Sequence, residues 1–127
     1  DYKGFYEYEI AQRRAALFPP YALFVRVLFI HEDQAPLCEA EERFALGLKD
    51  AILQALKAQG ADERELLFMV WGEAPIKRID GKYRRQIVLK LARTKHTPKA
   101  VDAIYSYSNA HRSEYFCSLE LNPGDMF

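Results

Sequence analysis

The chain has 127 residues, half of them hydrophobic and 28% charged, with 18 basic and 18 acidic side chains that cancel to a formal net charge of zero. That length suits one domain able to bury about two thirds of its unfolded surface, and the sparse Gly and Pro content argues against a disordered or fibrous chain. No apolar run reaches the ~18 residues of a membrane span, and no charged-then-apolar leader opens the sequence. Cys38 and Cys117 stand far apart and outside any CxxC pair, so neither a disulfide framework nor a zinc site is indicated and a reducing cytosol is the simplest home.

The chain opens at Asp1, without an initiator Met and inside an aromatic stretch, which reads as a piece of a longer protein. Tyr2 to Leu17 has a helical pattern with Phe5, Tyr6, Ile10 and Leu17 on one side, stopped by Pro19-Pro20. Tyr21 to Ile30 is almost continuously apolar and predicts a central strand, interrupted by Arg26. Asp33 is placed to cap a long helix with Pro36 in its first turn, and Leu37, Ala40, Phe44, Leu48, Ile52 and Ala55 recur at helical spacing until Gly60. Glu39, Glu41 and Glu42 read as the solvated start of that helix. Glu65 to Trp71 predicts a second strand, and Gly72 to Gly81 a long, Pro-containing connection. Tyr83, Ile87 and Leu89 give a third strand its core face, with Arg85 an awkward member. Thr97 and Pro98 start a third helix with Val101, Ile104 and Tyr105 inward, and a last strand follows with Tyr115, Cys117, Leu119 and Leu121 on one side.

After the first helix the order is strand, helix, strand, strand, helix, strand. This is the split βαβ, ferredoxin-like α+β arrangement: a four-stranded antiparallel sheet with two helices on one face, here preceded by an N-terminal helix. The other face is expected to be free. The first and third strands adjoin in the middle, so Arg26 either approaches Arg84 and Gln86 there or pairs with a local acid.

Charge is unevenly distributed. Residues 32 to 73 carry ten acids against four bases, whereas Lys77 to Lys99 holds nine Lys or Arg and one acid, Asp80. Lys82, Arg84, Gln86, Val88 and Lys90 share one face of the third strand by its period of two, and Lys77, Arg78, Arg93, Lys95 and Lys99 flank it. Such a surface suits a polyanion backbone, and the competing reading is a solvated sheet face with lysines protecting an edge. The Gly-aromatic-Gly/Ala-aromatic pattern of RNA-stacking modules is missing, so recognition through phosphate is expected over base stacking. No GxxxxGK[ST], GxGxxG, GxSxG or HExxH motif occurs, and His31, His96 and His111 stand alone in structural or surface settings. A small ferredoxin-like enzyme would lack a catalytic set.

Three segments carry a resemblance. Asp1-Tyr2-x-x-Phe5-Tyr6-x-x-Glu9-Ile10-x-x-Arg13 with Pro19-Pro20-Tyr21 is similar to the junction segment of the primosomal protein N′ (PriA) family of replication-restart helicases. Ala74-Pro75-Ile76-x-Arg78-Ile79-x-Gly81-x-Tyr83-Arg84-x-Gln86-Ile87-x-Leu89-Lys90 resembles that family's basic strand, and Leu119-Glu120-Leu121-Asn122-Pro123-x-x-Met126 its closing tail. Together the three span nearly the whole chain in matching order.

The resemblance implies the C-terminal part of a bacterial, cytoplasmic and nucleoid-associated ATP-dependent 3′ to 5′ DNA helicase of the primosome. Residues 1–20 would be a helical junction from the preceding helicase lobe, and 21–127 a domain that binds DNA and partners. No cofactor is implied for the fragment itself. ATP, magnesium and zinc would belong to the parent. Branched DNA, the tail of single-stranded-DNA-binding protein and the remaining helicase lobes are the implied partners. The DNA-binding set is Lys77, Arg78, Lys82, Tyr83, Arg84, Arg85, Gln86 and Lys90, and Arg93, Lys95 and Lys99 are a substitute set for the partner tail. The chain departs from the family pattern in a loop after Gly72 about two residues shorter than the family's usual Gly-Pro-x-Pro-x-Pro-Ile form, in Arg85 where an aromatic is common, and in Pro98 and Asp102 where Arg and Gln are expected. The alternative is a module that binds an acidic peptide or the helicase lobes without binding DNA by itself.

Overall fold

A computed structural model describes residues 22–122. The expected helix over Tyr2 to Leu17 and the tail beyond Asn122 lie outside the described residues, as does the side chain of Lys77. In chain order the elements are β1 (Ala22–His31), α1 (Gln34–Ala58), a 3-10 turn (Glu63–Glu65), β2 (Leu66–Ile79), β3 (Lys82–Ala92), α2 (Thr97–Ala110) and β4 (Phe116–Leu121).

The strands form one antiparallel sheet in the order β2-β3-β1-β4. This is the split βαβ arrangement that the element order predicts, and an α+β fold. Strand register assigns the faces. Val25, Val27 and Phe29 of β1 lie opposite Leu89, Ile87 and Arg85 of β3, and the apolar members of this set pack with Leu37, Phe44, Leu48, Ile52 and Leu56 of α1 and Ile104 of α2. Removing these side chains from water supplies the main driving force for folding, about 25 cal/mol per Å² of apolar surface. The second sheet face carries Phe24, Arg26, Leu28 and Ile30 opposite Lys90, Val88, Gln86 and Arg84.

Phe44 joins the layers. Its ring stands 5.2 Å from Phe29, 5.1 Å from Tyr107 and 5.9 Å from Phe116, linking α1 to β1, α2 and β4. The two helices approach where Gly47 leaves room for Tyr107. A Cβ at Gly47 would collide with the Tyr107 hydroxyl and lie 2.6 Å from Cζ. A residue of low helix propensity is thus kept in mid-helix because the neighbouring ring needs its space.

Four expectations are corrected. First, β2 does not stop at Trp71: it runs to Ile79, and the hairpin closes at Asp80-Gly81, whose φ angles of 52° and 76° are the pair that a two-residue primed turn requires. Pro75 concealed this continuation, since register breaks between Glu73 and Arg78 and resumes at Arg78 opposite Tyr83. Second, β4 does not place Cys117 inward. A register shift beside Phe29 breaks the alternation, so Phe116 packs on the core and Cys117 is exposed. Third, Tyr105 is exposed, and Tyr107 and buried Ser108 face inward instead. His96 takes the cap position, while the Thr97 hydroxyl donates to the Ala92 carbonyl (2.8 Å) and accepts from the Thr94 amide (2.8 Å), which clamps the β3–α2 loop. Fourth, Glu41 is not solvated. It is fully buried and pairs with Arg85 at 2.6 Å.

Candidate nucleic-acid interface

The basic stretch divides on folding. β3 is 11 residues long and so spans about 35 Å, which sends its two ends to opposite sides of the domain. Burial along it then decides which cations reach solvent.

The middle of the second face is buried. Arg26, Leu28, Gln86, Val88 and Lys90 are all buried, contrary to the expectation of a free basic face. Part of the reason lies in the side chains themselves. The Lys90 ammonium sits over the rings of Phe24 (5.0 Å) on β1 and Phe68 (5.1 Å) on β2, themselves edge to face at 6.4 Å. Arg26 reaches across to Glu120 of β4, with Nη2 at 2.7 Å and Nε at 2.9 Å from Oε1. Of the two alternatives for Arg26, the local acid is the one observed. Lys90, Gln86 and Arg26 therefore line a packed face, where long stems cover apolar neighbours.

Burial pushes the Lys90 ammonium below its ordinary value of 10.5. The unfolded chain then binds that proton more tightly than the folded one, so this group adds stability as pH rises through the window just below 10.5. Lys90→Met is expected to be relatively more stable at neutral pH than near pH 10.5, where the difference from wild type contracts. Urea unfolding of both proteins across that window checks it, and a difference independent of pH would refute it.

Arg85 points to the core side, as strand alternation requires. Its Nε donates to Glu41 Oε1 of α1 at 2.6 Å. Burial pushes the Glu41 carboxyl up, against the opposing pull of the Arg85 guanidinium and the Gly72 amide. For Arg85, burial works against the charge, but Glu41 outweighs it and holds the guanidinium above its ordinary value. The pair ties α1 to β3 and is a fastening, not a binding surface.

What remains accessible lies at the two ends. At the hairpin end, Lys82 is exposed and Arg84 half-buried on the second face, while Arg78 stacks over the Tyr83 ring at 5.0 Å on the other. The Arg84 Nη1 donates to the Ile76 carbonyl (2.8 Å), which fixes the bulged stretch of β2 against β3. Lys82 also borders an open cleft of about 460 Å³ shared with Ile30, His31, Glu32, Glu114, Phe116 and Cys117. Arg93, Lys95 and Lys99 are exposed at the opposite end, around the start of α2. There Glu65 accepts from the Thr94 hydroxyl (2.7 Å) and pairs with His96 Nδ1 (2.9 Å), which braces the loop.

Sequence reasoning missed the apolar members of the hairpin end. Ile76 is 58% exposed and Ile79 44%, both beside the cations. Their signal was the Asp80-Gly81 dipeptide, which sets a hairpin tip and hence solvent on both sides of it. Among the described residues no helix is long and apolar enough to cross a membrane, and no group of His, Cys, Asp and Glu is arranged to hold a metal ion.

No protein-family model matches the chain. Replication restart protein PriA of Bacillus subtilis is 28% identical over 125 residues, a match covering 97% of this chain. The chain spans 14% of that relative's length. Among solved structures, a dimeric ferredoxin-like protein of unknown function from Thermobifida fusca aligns with a TM-score of 0.40 at 14% identity, covering 83% of this chain and 92% of that one. The de novo designed protein Ferredog-Diesel aligns with a TM-score of 0.36 at 13% identity, covering 84% and 88%. Along nearly its whole length, then, this chain is similar to a PriA protein.

Proposed function

We propose that the chain is the C-terminal part of a bacterial replication-restart helicase and that it binds DNA through the hairpin end of its sheet. The observation that carries this is the cluster of Arg78, Lys82 and Arg84 around a rigid two-residue turn, in a PriA-like sequence. These cations meet phosphate, while Arg85, Gln86 and Lys90, which the residue pattern grouped with them, act by holding the sheet that presents them. The parent protein would supply ATP hydrolysis with its magnesium and zinc sites, in the cytoplasm and near the nucleoid. The tail of single-stranded-DNA-binding protein and the helicase lobes are proposed as partners, with Arg93, Lys95 and Lys99 available to the tail at the far end.

Phosphate contacts displace counterions, so affinity should fall steeply with salt. Replacing both Lys82 and Arg84 by Ala is expected to weaken binding to duplex, fork and single-stranded DNA alike, and to reduce the slope of log affinity against log salt by about 2. Fluorescence anisotropy at several salt concentrations measures both. Absent or salt-insensitive binding by the parent sequence would sink the proposal, and tight binding of an acidic peptide without DNA binding would select an interaction module instead.

A further inference from the structure

Leu28 and Val88 are buried on the side of the sheet that the helices leave uncovered. Strand register places them with Arg26, Gln86 and Lys90 on the second face, and at 6% and 2% exposure they are as deep as core residues. Yet neither belongs to the core cluster, in which Val25, Val27, Phe29, Ile87 and Leu89 meet α1 and α2. Neighbours within a sheet flank a valine but do not roof it, so such a face stays wet unless a further layer covers it. The dry strip is narrow. Val70 of β2, opposite Val88, is 55% exposed, and the Glu120 side chain of β4, opposite Arg26, is 40% exposed. Burial is thus confined to β1 and β3, two strands about 4.8 Å apart, a width that one helix of about 10 Å diameter covers.

We propose that this strip is the docking site of residues 1–21, with Tyr2 to Leu17 lying as a helix back along β1 and β3 and its Tyr6, Ile10 and Leu17 side against Leu28 and Val88. A helix of that span is about 24 Å long. The strip from Phe24 to Ile30, both half-buried at its ends, runs about 20 Å along β1. Pro19-Pro20 stops the helical pattern just before β1 begins, so the segment starts at the face it covers. The burial arises within a single chain, so it calls for neither a second copy nor nucleic acid. Residues 123–127 are too few to supply it. They extend at most about 18 Å, and they leave from the β4 edge, where the Asn122 amide donates to the Phe24 carbonyl at 2.7 Å and Asn122 Oδ1 accepts from the Phe24 amide at 3.0 Å. Residues 1–21 then form the third layer of this domain and are not merely a junction to the unit before it, whether or not the domain binds DNA.

The test uses the full chain, labelled for NMR at its methyl groups and aromatic rings. Nuclear Overhauser contacts are expected within one molecule between Tyr6, Ile10 or Leu17 and the methyl groups of Leu28 and Val88. A sample mixing labelled and unlabelled chains separates these from contacts between copies. Replacing Tyr6 and Ile10 together by Ser should shift the Leu28 and Val88 methyl resonances and lower the thermal midpoint by about 5 °C or more. Tyr8→Ser, on the opposite side of the same helix, should do neither. The contact measurement needs only the parent sequence, so it stands even if the serine variant does not fold. The absence of such contacts, contacts found only between copies, contacts from residues 123–127 in their place, or equal effects of the two sets of substitutions would each overturn the proposal.

Discussion

Arg85→Met should lower the stability of the domain by about 3–5 kcal/mol, because it strands the Glu41 carboxylate in a fully buried site. Replacing both members, Glu41→Leu with Arg85→Met, should recover most of that loss, since a well-packed apolar pair of similar volume carries no desolvation penalty. Acid separates the two situations further. With its cation gone, Glu41 is pushed still further above the ordinary carboxylate value. The folded state of the single variant then binds a proton more tightly than the unfolded chain, and its stability rises as pH falls through that window. Urea unfolding of the three proteins at neutral and mildly acid pH measures all of this. A single variant as stable as wild type at neutral pH would mean that Glu41 finds water or another partner there.

Phe44→Ala is the second large effect, an expected loss of about 3–5 kcal/mol. The ring contacts Phe29, Tyr107 and Phe116, so its removal opens a cavity where both helices meet two strands. Val70→Ala, at a residue 55% exposed on β2, should by contrast change stability by no more than about 0.5 kcal/mol. Thermal or urea unfolding distinguishes them, and similar losses at the two positions would show that the core is not where the packing places it.

How much of this was legible follows from how locally each feature is encoded. β1 and α1 declare themselves through uninterrupted apolar and 3.6-residue patterns, and strand and helix order then leaves few topologies. The continuation of β2 past Gly72 was illegible because Pro75 and the break at Ala74 to Lys77 mimic a loop. The inward side of β4 was illegible because one register shift inverts the alternation on which any face assignment depends. At the candidate site, the charges were plain but their burial was not. Glu41 on a helix and Arg85 on a strand each look like surface residues, and only the packing of α1 on β3 makes them partners. Lys90 belongs to the same class, since the Phe24 and Phe68 rings that enclose it come from two other strands.

The break in β2 also bears on how this chain behaves in company. β2 is an outer strand with 14 residues, long enough to present another chain with a row of unsatisfied amides and carbonyls. Pro75 has no N–H to offer, and the bulge around it turns the backbone out of line halfway along. A second molecule laid beside this edge would find its hydrogen-bonding register interrupted after a few residues. The irregularity that hides the hairpin from a reader of the sequence is thus a barrier against sheet-to-sheet aggregation, and straightening it would be expected to make the domain less soluble before it made it less stable.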